Sequence, residues 1–117
     1  MNPRKPRKYG NKKMVSADGF MFDSKAEHRR WTELKWLEQA GEISELQRQV
    51  AYVLAPAVRM GASQRLKPAM KLVVDFQYRD SKGKLVLEDT KGVVTEAFRI
   101  KAHLLKDRYG MEVRLTK

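Results

Sequence analysis

Cysteine is absent from the 117-residue chain, so disulfides and thiolate metal sites are excluded. Histidine is scarce: His28 and His103 are the only two, and nothing in their spacing arranges them as a zinc pair. No apolar run approaches the roughly 18 residues of a membrane-spanning helix. The basic N-terminus lacks the apolar core of a signal peptide. The expected location is therefore intracellular, in the cytoplasm. Acids are also in short supply. Fourteen Asp and Glu face twenty-five Lys and Arg, a formal net charge of +11 that favours a polyanionic partner, nucleic acid before a membrane. The length suits one small domain with one core.

Residues 1–8 are expected to form a flexible basic arm ahead of a single domain at 9–117. The first thirteen residues carry Arg4, Lys5, Arg7, Lys8, Lys12 and Lys13 and no acid. They read equally well as a phosphate-contacting tail and as a solubilising end. Residues 13–22 suggest a small hairpin about Ala17-Asp18-Gly19. A helix is expected over 24–40, capped by Ser24 and ended by Gly41, with Trp31, Leu34 and Leu37 as its apolar stripe. Glu27 falls on that inward face. It is a candidate for chemistry, although Ser24-Lys25-Ala26-Glu27 is also a capping box. Trp31 and Trp36 read as packing residues. A turn at 41–45 and a strand at 46–54 follow. Residues 55–67 lack clear periodicity and read as an exposed loop, with Arg59 and Arg65 available to a ligand.

The most informative stretch is 73–92. Leu72, Val74, Phe76 and Tyr78 alternate against Val73, Asp75 and Gln77, and Ser81-Lys82-Gly83 suits a three-residue hairpin loop. In that register paired positions sum to 164, and Asp75 lies opposite Asp89 on the same side of the sheet. Two carboxylates so placed repel one another, which points to a cation between them. Lys91 shares their side, and Glu88 points away. A second helix begins at Thr95, with Phe98, Ala102, Leu105 and Tyr109 on one face, and Gly110 ends it. A short strand at 111–115 closes the chain. The carboxylates of Glu27, Asp75 and Asp89, with the backbone carbonyl of Thr90, form a hard-oxygen set suited to Mg²⁺ or Mn²⁺.

Asp75 followed by Asp89-Thr90-Lys91, with an acid on a preceding helix, resembles the PD-(D/E)XK nuclease superfamily. More narrowly, residues 9–115 resemble a family of small phage and prophage proteins of unknown function. The likeness runs through Tyr9-Gly10-Asn11-Lys12-Lys13, Phe22-Asp23-Ser24-Lys25-Ala26-Glu27, Ala40-Gly41-Glu42-Ile43, Val74-Asp75-Phe76 and Glu88-Asp89-Thr90-Lys91-Gly92. The resemblance implies an α/β fold with a restriction-endonuclease-like core, a mixed central β-sheet flanked by two main helices. It implies catalytic positions at Glu27, Asp75, Asp89 and Lys91, and a relationship to phage Holliday-junction resolvases of the endonuclease I type. The implied partner is DNA, branched and four-way junctions included, with a homodimer allowed. Val74 stands where the superfamily name has proline, and Asp rather than Glu stands at 89, which leaves the metal preference open. The function expected is a metal-dependent endodeoxyribonuclease. The alternative is a non-catalytic nucleic-acid-binding protein that keeps the nuclease fold.

Overall fold

The computed structural model describes residues 14–15, 19, 21–22 and 24–117. The basic residues Arg4, Lys5, Arg7, Lys8, Lys12 and Lys13 lie outside the described residues. So do residues 16–18 of the proposed first turn. Its two flanks are present as β1 (Met14–Val15) and β2 (Met21–Phe22), paired antiparallel.

Helix α1 spans Lys25–Gln39. Ser24 caps it: its hydroxyl accepts the Glu27 amide at 3.1 Å, which satisfies one of the orphan donors of the first turn. Gly41, at φ 80°, takes the left-handed turn that leads out of the helix. Trp31 and Leu34 are buried, but Trp36 is 66% exposed, contrary to the packing role expected for it. Five residues beyond Trp31 is about 140° around the helix, off the apolar stripe. Helix α2 spans Glu96–Tyr109 between a Thr95 cap and Gly110 at φ 72°.

One four-stranded mixed sheet lies between the helices, in the order β3 (Ser44–Ala55), β6 (Met70–Arg79), β7 (Leu85–Thr90), β8 (Val113–Thr116). β3, β6 and β7 run antiparallel in turn, and β8 lies parallel to β7. Strand β3 begins at Ser44, inside the stretch expected to be a turn. Residues 55–67, expected to be a loop, instead form a separate antiparallel hairpin, β4 (Val58–Met60) with β5 (Arg65–Lys67). Pro56, Gly61 and Pro68 bracket strands too short for their alternation to register. Among the described residues no helix is long and apolar enough to cross a membrane.

The core has two parts. Phe22, Trp31, Leu34, Ile43, Phe76 and Tyr78 pack beneath α1, and Leu54, Leu72, Val74, Leu87, Phe98 and Leu105 pack beneath α2. Leu85 and Leu87 join the α2 cluster, and Val86 between them joins the α1 cluster, so the helices cover opposite faces. Strand β6 breaks this alternation. Val74 packs toward α2 and Phe76 toward α1, although residues two apart in a regular strand share a face. Strand β3 does the same: Leu46 packs toward α1, and Val50 and Tyr52 toward α2. Between them Gln49 holds φ at 55°, and the flanking pairs Arg48↔Phe76 and Val50↔Val74 set Gln49 across from Asp75. The two strands turn over together at this point.

Candidate metal centre at a fork in the sheet

Strands β6 and β7 pair from Arg79↔Leu85 up to Phe76↔Glu88, in the register whose positions sum to 164. The loop closes through Asp80 N–H to Lys84 O and Gly83 N–H to Asp80 O, both 2.9 Å, with Gly83 at φ 81°. One step past Phe76↔Glu88 the backbone ladder ends. Beyond it β6 stays with β3, while β7 continues beside β8 to Thr90↔Thr116.

Asp75 and Asp89 face each other at this fork, and their side chains replace the missing ladder bonds. Asp89 Oδ1 accepts the Asp75 amide at 2.7 Å, and Asp75 Oδ2 accepts the Thr90 amide at 2.8 Å. Parting strands would otherwise strand these amides. Each aspartate thus has one oxygen committed to backbone and one directed elsewhere. Asp89 Oδ2 lies 3.3 Å from Lys91 Nζ. Asp89 is 1% exposed, whereas Lys91 keeps a third of its side chain open, its ammonium 4.8 Å from the centre of the Phe98 ring. Burial, and then the negative charge of Asp89, push the Asp75 carboxyl from an ordinary 3.8 up to about 7. The Thr90 amide and Lys91 pull weakly the other way, and Glu27 adds to the rise.

Glu27 is 4% exposed on α1 and close enough to act on Asp75 electrostatically. Its Oε1 accepts from Gln49 Nε2 at 3.1 Å and lies 3.8 Å from Arg48 Nη2. The fold therefore brings Glu27, Asp75, Asp89, Lys91 and Thr90 together. Thr90 meets the pair through its amide, which Asp75 Oδ2 accepts. Arg59 and Arg65 sit on the separate β4–β5 hairpin.

Gln49 escaped the sequence reading, since nothing in the local pattern of β3 singles it out. A positive φ in a strand interior is unusual for glutamine and marks a held conformation. Here it coincides with a hydrogen bond to one candidate acid and a position opposite another. A second polar group also went unnoticed. Glu88 is fully buried and takes two 2.8 Å bonds from Arg30 Nε and Nη2, and Tyr78 donates its hydroxyl to the same carboxylate. Burial alone would raise Glu88, but the bonds from Arg30 and then Tyr78 hold it below its ordinary value. Burial, and then the bond to Glu88, push Tyr78 up to about 12. This network clamps α1, which carries Glu27, to β7, which carries Asp89.

Among the described residues no three His, Cys, Asp or Glu side chains close around a point as a ready cage for an ion. The donors that are present fit a hard divalent cation all the same. They are carboxylate oxygens only, in a pair of one buried and one half-buried acid whose mutual repulsion a cation would relieve. Mg²⁺ needs only one or two carboxylates when water and phosphate complete its shell.

The fold and the site together define an α/β protein with an acidic pair at the fork of a mixed sheet and a lysine beside it. The chain belongs to the family described as a protein of unknown function, DUF1064, which its residues 6–117 match. No curated protein and no solved structure matches it.

Proposed function

We propose that this protein is a metal-dependent endodeoxyribonuclease with a restriction-endonuclease-like core, acting on DNA that includes branched forms such as four-way junctions. The observation that carries this reading is the fork. Two carboxylates, buried Asp89 and half-buried Asp75, face each other, each keeps one oxygen uncommitted to backbone, and the ammonium of Lys91, whose side chain is one third exposed, stands 3.3 Å from one of them. Asp75 and Asp89 would hold Mg²⁺ or Mn²⁺, with Glu27 at the edge of the set. Such an ion supplies Lewis acidity toward a phosphodiester and a hydroxide equivalent near neutral pH.

The chain's own residues supply the rest. Lys91 offers a charge to the phosphoryl oxygens, where negative charge grows in the transition state. Gln49 fixes the Glu27 carboxylate, and the Arg30–Glu88 clamp sets the distance between helix and strand. The excess of basic residues draws the polyanion to the site.

The amide bonds made by Asp75 and Asp89 favour a second reading, a binder that keeps the acids to close the fork. One assay separates the two. Linear, nicked and four-way-junction DNA are incubated with Mg²⁺, Mn²⁺ or chelator, using wild type and Asp89→Asn. The nuclease reading expects metal-dependent cuts by wild type alone. Binding without cutting under every metal condition would favour the binder.

A further inference from the structure

The β4–β5 hairpin stands apart from the core. Every residue from 56 to 68 is exposed, and the two strands pack chiefly against each other. A lone two-stranded hairpin is marginal in water, yet this one has a fastened tip. Gln64 N–H and Nε2 both donate to Gly61 O, at 3.1 and 2.9 Å, and Arg59 Nη1 donates to Gln64 O at 3.3 Å.

Its surface is unusual in two respects. Between Glu45 and Asp75 the chain has no acidic residue, and the hairpin itself presents Arg59, Arg65 and Lys67. It also exposes three large apolar side chains: Val58 at 46%, Met60 at 55% and Leu66 at 53%. The register mixes the two kinds. Val58 pairs with Lys67 and Met60 with Arg65 on one face, and Arg59 pairs with Leu66 on the other. Both faces thus carry a cation beside an apolar group.

A second copy of the chain would bring like charges together. A polyanion with apolar surface between its charges fits better. We propose that this ribbon is the element that grips the substrate, lying in the major groove of double-stranded DNA. There its long cations reach phosphates on either side, and the face that carries Val58 and Met60 meets sugar and base edges. Two strands lie about 4.8 Å apart, and a B-form major groove about 12 Å wide admits a two-stranded ribbon. The A-form groove of duplex RNA is too narrow.

The inference rests on reading the chain as DNA-directed, but not on cleavage, so it is tested in EDTA. Full-length protein is titrated by fluorescence anisotropy into a 20-base-pair DNA duplex, a single strand of the same length and duplex RNA. Wild type should prefer the DNA duplex. Arg59→Ser/Arg65→Ser/Lys67→Ser should bind it at least tenfold more weakly, with the logarithmic salt slope reduced by about 3, since each phosphate contact contributes roughly 0.9. Val58→Ser/Met60→Ser should weaken binding several-fold with the slope unchanged. An unchanged thermal midpoint for both variants keeps misfolding out of the comparison. The proposal is overturned if the triple variant keeps wild-type affinity and slope, or if single-stranded DNA or duplex RNA binds as tightly. It is overturned too if the apolar variant merely dissolves a dimer seen by ultracentrifugation. Loss of binding in the triple variant of a protein that never cuts DNA would retain the ribbon and discard the nuclease.

Discussion

Replacing Asp75 with asparagine should stabilise the metal-free protein, and do so only at higher pH. In the fold the Asp75 carboxyl is raised from 3.8 to about 7. A group raised this way contributes most below its unfolded pKa, and that contribution is lost as pH rises through the folded value. Wild type should therefore lose stability between about pH 4 and pH 7, by about 4 kcal/mol in full. The amide side chain carries no charge for Asp89 to repel, and its oxygen can still accept the Thr90 amide. It remains a half-buried polar group, which costs about 2 kcal/mol of that recovery. The net gain is about 2 kcal/mol above pH 8, roughly 8 °C in midpoint for a chain of this size. The two proteins should melt together near pH 5, and at pH 4.5, where wild type has lost only about 1 kcal/mol, the variant should be the less stable by about 1 kcal/mol. Circular dichroism melts in EDTA at pH 4.5 and 8.5 decide the point. Equal differences at both values, or a less stable variant at pH 8.5, would refute the electrostatic reasoning.

Three further outcomes are expected. Lys91→Ala should leave Mn²⁺ affinity nearly intact and weaken DNA binding modestly, but slow single-turnover cleavage by orders of magnitude, because the ammonium acts on charge that appears in the transition state; wild-type cleavage would remove Lys91 from catalysis. Arg30→Ala leaves Glu88 buried without its cation and should cost about 3–5 kcal/mol in urea unfolding, whereas Arg30→Met/Glu88→Met should cost far less; equal losses would show that the clamp is not electrostatic. Gln49→Gly and Gln49→Ala both lose the bond to Glu27, but only glycine relieves the backbone at φ 55°. The glycine variant should be the more stable by about 1 kcal/mol in thermal melts, and a more stable alanine variant would mean that Gln49 is unstrained.

Local chemistry made much of this legible in the sequence. Alternation from Leu72 to Tyr78 and the turn at Ser81-Lys82-Gly83 were enough to set the register that opposes Asp75 and Asp89. Ser24, Thr95 and Gly110 marked helix ends through capping chemistry that needs no tertiary context. What escaped is long-range. The bond between Arg30 and Glu88 joins residues 58 apart, and no pattern announces it. That Asp75 and Asp89 each bond an amide beside the other depends on the strands parting, and the sequence shows the pairing but not where it ends. The turnover at Gln49 breaks the alternation on which strand reading relies. Val50 and Leu46 look like one face and are not. The β4–β5 hairpin was missed because strands of three exposed residues have no buried face to imprint a period.

The central claim is that Asp75 and Asp89 hold a divalent cation at the fork, and Mn²⁺ calorimetry without DNA tests it most directly. Wild type should bind weakly at pH 8, and more weakly still as pH falls below about 7, where a proton competes for Asp75. Asp75→Asn/Asp89→Asn should give no binding heat. Equal Mn²⁺ binding by wild type and the double variant would contradict the account.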